Sequence, residues 1–148
     1  MSLKTRILDD VKIAMRNHDR ERLAVLRLVT AAIKQREVDE RIELEDDEVL
    51  RVLDKMNKQR RESLELFSNA GRDDLAAQER FELELIQTYL PEQLDEAEIT
   101  ALIDAAVKAT GAESIRDMGA VMGSLRGQVQ GRADMKQVSA AVRRRLGA

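Results

Sequence analysis

The chain has 148 residues, and its 25 basic and 28 acidic side chains give a formal net charge of −3. It contains no cysteine, which excludes disulfide bonds, thiolate zinc sites and cysteine nucleophiles. An apolar fraction of 43% can build a core, whereas 7 glycines and 1 proline are too few for an all-β fold dense in turns. The abundance of Ala, Leu, Glu, Arg and Lys favours an all-α protein.

Four amphipathic helices are predicted before the only proline. Apolar residues at helical spacing indicate helices over residues 3–17, 20–38, 46–69 and 73–90. Ser2 and Asp19 are expected to cap the first two helices, and Gly71 is expected to end the third. The connections are short, so neighbouring helices are expected to pack antiparallel.

Pro91 must end or sharply bend the helix before it, so we place a domain boundary there. The prediction is an N-terminal four-helix domain over residues 1–91 and a small C-terminal three-helix domain over residues 92–148. The three C-terminal helices are expected between Asp95 and Gly111, over roughly 115–127, and from Asp134 onward.

Neither a secretory signal nor a membrane span is visible in the sequence. The segment Met1–Arg6 has no apolar h-region, and no apolar run approaches the roughly 18 residues that a membrane span needs. We therefore expect a cytoplasmic protein without a membrane partner.

Basic side chains are concentrated near the C-terminus. Residues 116–148 carry 7 basic and 2 acidic groups, although the whole chain is acidic. Such asymmetry suggests contact with a polyanion at that end. The alternative is a solvated basic face without a partner.

The residues offer little for catalysis. The single histidine, His18, falls in a predicted turn, and nothing places a serine and an acid beside it. There is no phosphate-binding loop ending in Gly-Lys-Ser/Thr, no dinucleotide fingerprint after a strand, and no Glu-x-x-His pair for a di-iron site. We expect no catalytic residue, no cofactor and no metal.

A polar patch interrupts the apolar face of the predicted third helix. Arg60 and Ser63 lie on the same stripe as Met56, with Lys58 nearby, and these three polar residues are candidates for binding a protein partner. The alternative is a buried interhelical network in which Arg60 pairs with Glu79 or Glu82, because buried arginines are normally paired.

Two glycines mark the short helix of the C-terminal domain. Gly119 and Gly123 lie four residues apart on one helical face, and each costs about 1 kcal/mol relative to alanine inside a helix. Either a neighbouring helix packs closely against them, or a ligand lies against the bare surface.

The start of the last helix favours an anion. Gly131 next to a capped helix start is expected to leave accessible amides, while Arg132, Lys136 and Arg143 can share a face. Aromatic residues for base stacking are absent here, so sequence-specific reading of single strands is not expected. The candidate RNA-binding residues are Gly119, Gly123, Arg126, Gly131, Arg132, Lys136, Arg143 and Arg144.

The chain resembles the YqeY-like family over essentially its whole length. The matching segments are Leu26–Lys34, Lys55–Ser63, Arg72–Leu75, Tyr89–Leu94 and Asp117–Lys136. The C-terminal part is also similar to the tail domain of the GatB subunit of tRNA-dependent amidotransferase. That tail carries a Gly-x-x-x-Gly helix and a Gly-Lys-Ala-Asn-Pro stretch, where this chain has Gly131-Arg132-Ala133-Asp134-Met135.

The resemblance implies contact with tRNA, because the tail domain engages tRNA, but it does not imply catalysis. We therefore expect a non-catalytic accessory module that binds tRNA or another RNA. The alternatives are a helical protein–protein interaction module without nucleic-acid binding and an enzyme of the amidotransferase type. A carbon–nitrogen ligase activity with glutamine as amide donor would rest on family association alone.

Overall fold

The computed structural model describes residues 1–147 as seven α-helices and one 3₁₀ turn, without a β-strand among them. The predicted all-α fold is confirmed. The described chain forms two compact units, one from Met1 to Leu90 and the other from Pro91 onward. Separate folding of the two predicted domains stays a prediction.

The N-terminal unit consists of α1 (Leu3–Arg16), α2 (Arg20–Glu40), α3 (Asp46–Asn69) and α4 (Asp73–Gln87). The expected caps of the first two helices are present, because Ser2 accepts a hydrogen bond from the Thr5 amide and Asp19 accepts one from the Arg22 amide. Gly71 has φ +71°, a left-handed conformation that suits glycine and allows the tight turn between α3 and α4.

The fourth helix ends three residues earlier than its apolar pattern predicts. The amides of Thr88, Tyr89 and Leu90 bond to carbonyls three residues back, so the last turn tightens before Pro91. The physical reason is that a proline disfavours α-helical conformation in the residue before it. Tyr89 and Leu90 are nevertheless buried and join the core.

The core of this unit is built from one face of each helix. Its fully buried members include Ile7 of α1, Leu26 of α2, Leu53 of α3 and Ile86 of α4. The longest shared helical surface is the one between α3 and α4, which run antiparallel as the short turn requires.

The C-terminal unit consists of α5 (Glu96–Thr110), a 3₁₀ turn (Ile115–Asp117), α6 (Met118–Val129) and α7 (Met135–Arg145). Its core is formed by apolar residues from all three helices: Ile103, Val107, Val121, Leu125, Val138 and Val142.

The sequence predicted one helix over 115–127, but the structure divides this region into the 3₁₀ turn and α6. The Asp117 carboxylate accepts hydrogen bonds from the amides of Glu113 and Ser114. This cap closes the 3₁₀ turn and moves the start of α6 to Met118.

Among the described residues, no helix combines the length and the apolar character needed to cross a membrane.

Candidate nucleic-acid interface

The solvent face of α6 is made of small residues. Val121, Leu125 and Val129 face the core, and the opposite side presents a bare face that we define as Gly119, Ala120, Gly123, Ser124 and Gly127. All five residues of the bare face are exposed. In most surface helices, the solvent-facing positions carry charged or polar side chains.

The bare face is open rather than packed. A Cβ atom added at Gly119, Gly123 or Gly127 would meet nothing within 4 Å. The alternative that these glycines let two helices approach closely is therefore wrong for the described residues. Their cost to helix stability has no compensation from close packing within the C-terminal unit.

One cation lies beside the bare face. Arg126 is exposed and lies seven residues, or about two helical turns, after Gly119, which places it at the edge of the same side of α6. No carboxylate of the described residues lies within ion-pair distance of its guanidinium. Its charge is therefore available to an external anion.

Three further cations project from α7. Lys136 and Arg143 are seven residues apart and share the solvent face, while the buried Val138 and Val142 occupy the other. Arg144 is exposed as well. Within the described part of the chain, none of these three cations forms an ion pair.

Arg145, in the same helix, differs from these cations because it is paired with an acid. Its Nε lies 2.9 Å from Oδ1 of Asp104 on α5, and the two form an ion pair on the surface. Some basic residues of this unit are therefore paired with an acid and others are not. A count of charges in the sequence cannot tell the two groups apart.

The turn at Gly131 is more enclosed than the sequence predicts. Gly131 is buried with φ +75°, and its carbonyl accepts a hydrogen bond of 2.9 Å from Nε2 of Gln93. The start of α7 already has a carboxylate, because Asp134 Oδ1 accepts from the Lys136 amide at 3.1 Å. At this amide an internal carboxylate thus takes the place of an external anion.

Arg132 has a structural role at the same turn. Its Nε donates to the carbonyl of Glu92 at 3.1 Å, and its own carbonyl accepts from the Leu94 amide at 2.8 Å. Together with Gly131, it fastens the segment after Pro91 to the turn between α6 and α7. Arg132 is half-buried, whereas Arg126 and Arg143 are exposed.

The polar patch on α3 matches the predicted ion-pair alternative. Arg60 Nε lies 3.5 Å from Oε2 of Glu82 on α4, and the two side chains are only 15% and 13% exposed. The Arg60 guanidinium also donates to the Met56 carbonyl at 3.4 Å. Burial, and then the nearby Glu82 charge, raise the pKa of Glu79. Lys58 is exposed and Ser63 is half-buried.

Sequence reasoning missed Asn57 in this patch. Asn57 is 0% exposed, and its Nδ2 donates to Oε1 of Gln87 at 3.2 Å. It continues the Arg60–Glu82 pairing as a second polar contact between α3 and α4. The available signal was its position four residues after Leu53, which places it on the buried side of α3.

Comparisons with known proteins confirm the resemblance to the YqeY-like family. The family model described as Yqey-like protein matches residues 4–146. A curated relative from Pyrenophora tritici-repentis, named altered inheritance of mitochondria protein 41, mitochondrial, is 31% identical over 146 residues. That alignment covers 97% of this chain and 80% of the relative.

A protein of the same name from Eremothecium gossypii is 39% identical over 82 residues, covering 55% of this chain and 45% of that protein. A third, from Vanderwaltozyma polyspora, is 33% identical over 82 residues, covering 55% and 44%. All three are named as mitochondrial proteins. The expected cytoplasmic location is therefore wrong. It rested on absent signals, which cannot identify a compartment.

Proposed function

This chain belongs to the YqeY-like family, and we propose that it is a non-catalytic accessory module whose C-terminal unit binds tRNA or another RNA. The observation that carries the proposal is the exposed bare face of α6, with Arg126 at its edge and no ion pair on that cation. The tRNA contact of the similar amidotransferase tail supports the choice of ligand.

Phosphate groups are the part of the RNA that this surface suits. A helix face of glycines and small side chains lets a sugar–phosphate backbone approach closely. The cations without an ion pair supply positive charge: Arg126, Lys136, Arg143 and Arg144. Released counterions then make affinity strongly salt-dependent. This end of the chain carries 7 basic and 2 acidic groups over residues 116–148, so phosphate attraction is not cancelled locally.

Base reading has no support in this unit. The chain has 2 Phe, 1 Tyr and no Trp, and all three aromatic residues precede Pro91. Recognition of splayed single-stranded bases depends on aromatic stacking platforms. The proposed binding mode therefore reads the backbone, with little preference for sequence.

A catalytic role is not part of the proposal. The only histidine, His18, is exposed in the turn between α1 and α2, and the chain has no cysteine. Its sequence also has no phosphate-binding loop ending in Gly-Lys-Ser/Thr. The module is proposed to present or hold RNA for a separate activity.

The test is binding of total tRNA across a salt series. The variant Lys136→Glu with Arg143→Glu should weaken binding about tenfold or more at low salt and flatten the salt dependence by roughly two phosphate contacts. Both residues are exposed on α7, so circular dichroism should show an unchanged fold. Binding that is independent of salt would contradict phosphate recognition.

The matched control is Lys58→Glu with Arg80→Glu, which makes the same change in net charge on exposed residues of the N-terminal unit. It should leave tRNA binding within about twofold of the unmodified chain. Equal losses in both double variants would mean that total charge alone governs binding. Absence of any tRNA binding at low salt would reject the proposed function.

A further inference from the structure

α2 carries two apolar faces, of which only one is used by the core. The inner face contributes the buried residues Val25, Leu26, Val29 and Ile33. The other face is exposed, and we call it the outer stripe, consisting of Ala24, Leu28, Ala31, Gln35 and Val38. Within it, Leu28 is 46% exposed and Val38 is 62% exposed.

The spacing of the outer stripe matches the seam of a coiled coil. Its members are separated alternately by four and three residues, which keeps a seam on one side of a helix that packs along a second helix. From Ala24 to Val38 the stripe is about 21 Å long, at about 1.5 Å per residue. This length suits a contact along four turns of another helix.

A row of cations follows one edge of the stripe. We call Arg20, Arg27 and Lys34 the basic row; they lie seven residues apart and are exposed. Arg27 directly precedes Leu28 of the stripe, and Lys34 directly precedes Gln35. In coiled coils, charged residues that flank the seam in this way select the partner helix. Among the described residues, none of the three forms an ion pair.

Two cations of the basic row line a cleft between α1 and α2. The cleft has a volume of about 490 Å³, and its walls include Arg27, Lys34 and the half-exposed Leu8 of α1. Its one carboxylate, Glu37, already accepts hydrogen bonds from Lys4 Nζ and from the Leu44 amide, each at 2.8 Å. Lys34 lies close enough to this carboxylate to help lower the pKa of Glu37, after its two hydrogen-bond donors. Glu37 is thus shared with Lys4, and the cleft offers Arg27 no ion-pair partner.

Pairing of two copies along α2 does not satisfy these charges. In an antiparallel pair, the basic row would face the same row of the second copy, which is repulsive. In a parallel pair, it would face Val25, Ala32 and Asp39, where only Asp39 is acidic. The Asp39 carboxylate also already accepts a hydrogen bond of 2.9 Å from Gln35 Nε2.

We propose that the outer stripe and the basic row bind an amphipathic helix of another protein, one that carries acidic residues beside its apolar seam. The apolar seam would cover Leu28 and Val38, and its carboxylates would pair with Arg27 and Lys34. This interaction lies on the N-terminal unit and is separate from the proposed RNA surface.

The test uses a synthetic helical peptide of about 21 residues, with leucine along a coiled-coil seam and glutamate at both flanks. Its binding to the full chain is measured by fluorescence anisotropy. The variant Arg27→Glu with Lys34→Glu should bind about tenfold more weakly or worse, since two attractive pairs become repulsive. Leu28→Glu should cause a similar loss, because it places a charge in the apolar seam.

Two matched controls separate the site from general effects. Lys136→Glu with Arg143→Glu makes the same charge change on the C-terminal unit and should leave peptide binding unchanged. Leu66→Glu replaces another exposed leucine, 69% exposed on α3, and should also bind normally. A peptide with lysine in place of glutamate should bind the unmodified chain at least about tenfold more weakly.

The proposal is overturned if the acidic peptide does not bind, or if it binds equally well to the chain with Arg27→Glu and Lys34→Glu. It is also overturned if Leu28→Glu abolishes a dimer seen by light scattering, because a second copy would then be the occupant. A third outcome would also overturn it: the unmodified chain does not bind the peptide, and the variant Arg27→Glu with Lys34→Glu loses tRNA binding. The basic row would then be a nucleic-acid contact.

Discussion

The phenol of Tyr89 donates a hydrogen bond to the carboxylate of Asp10 and joins the end of the N-terminal unit to α1. Tyr89 is only 4% exposed. The guanidinium of Arg6 lies 4.9 Å from the centre of the same ring and donates to the Thr88 carbonyl at 3.4 Å. A buried aromatic ring thus has a partner for its hydroxyl group and a cation over its face.

The first prediction concerns the titration of this residue. Burial, and then the hydrogen bond to Asp10, raise the pKa of Tyr89 above its usual value of 10.0. The chain contains 1 tyrosine, so the ultraviolet absorbance of tyrosinate reports Tyr89 alone. We expect this absorbance to appear only well above pH 10 in the folded chain. In the chain unfolded by urea, it should appear at about pH 10.

The same shift predicts a loss of stability in alkali. The unfolded chain releases the phenolic proton first, so the stabilisation from Tyr89 is complete below about pH 10 and is lost as the pH rises further. Tyr89→Phe should lower the free energy of unfolding by about 1 kcal/mol at neutral pH and reduce its alkaline decline. An ordinary tyrosinate titration in the folded chain would contradict the burial of this hydroxyl.

The second prediction concerns the ion pair between Arg60 and Glu82. Arg60→Met should lower the free energy of unfolding by about 2 kcal/mol, because it leaves a largely buried carboxylate without its partner. Combining it with Glu82→Met should restore most of that loss, since both buried charges are then removed. Urea unfolding at neutral pH measures both effects.

Lys58→Met is the control for this pair, because Lys58 is exposed on the same helix. It should change the free energy of unfolding by less than about 0.5 kcal/mol. If the double variant is as unstable as the sum of the two single variants, the two charges act independently and do not form a coupled pair.

The third prediction concerns acid stability. The hydrogen bond from Lys4, and then that from the Leu44 amide, hold the pKa of Glu37 below its usual value of 4.5. The resulting stabilisation is present above about pH 4.5 and is lost as the pH falls through the lowered value. Glu37→Gln should therefore destabilise the chain at pH 7, and the difference from the unmodified chain in urea unfolding should vanish once the pH falls below the lowered pKa.

Glu43→Gln provides the comparison, because Glu43 is also near Lys4, at 3.6 Å, but is 84% exposed. It should cause little loss of stability at pH 7. A constant difference between Glu37→Gln and the unmodified chain from pH 3 to pH 7 would mean that the charge of Glu37 is irrelevant to its role.

Helical periodicity was sufficient to predict the fold. The spacing of residues such as Ile7, Leu26 and Val29 places them on core faces, and the caps Ser2 and Asp19 mark helix starts. Helix boundaries were less predictable where a side-chain cap or a proline ends a helix. The cap from Asp117 divides one predicted helix, and the proline effect shortens another.

The candidate interface was only partly readable from the sequence. Gly119 and Gly123 predict a gap in a helix face, but only three-dimensional packing shows that the gap is open. The roles of Gly131 and Arg132 depend on the segment around Gln93, about 40 residues earlier, so no local pattern reveals them. The outer stripe of α2 was concealed because apolar residues on two faces of one helix blur its periodicity.

The last prediction separates packing from binding at Gly123. Because α6 is regular there and a Cβ atom meets nothing within 4 Å, Gly123→Ala should raise the free energy of unfolding by about 0.5–1 kcal/mol. Gly111→Ala is the opposite case in the same unit, since its φ of +65° is unfavourable for alanine, and it should destabilise the chain. Thermal unfolding distinguishes the two directions.

Binding is then tested with a larger side chain at the same position. Gly123→Gln fills the bare face without changing charge, so it should weaken tRNA binding while the chain stays folded and the salt dependence persists. Ser68→Gln, at an exposed position on α3, adds a similar bulk elsewhere and should bind normally. If Gly123→Gln binds tRNA as well as the unmodified chain does, phosphate contact occurs through the cations of α7 without the face of α6. The glycines then have no part in RNA binding, although their replacement by alanine would still stabilise the helix.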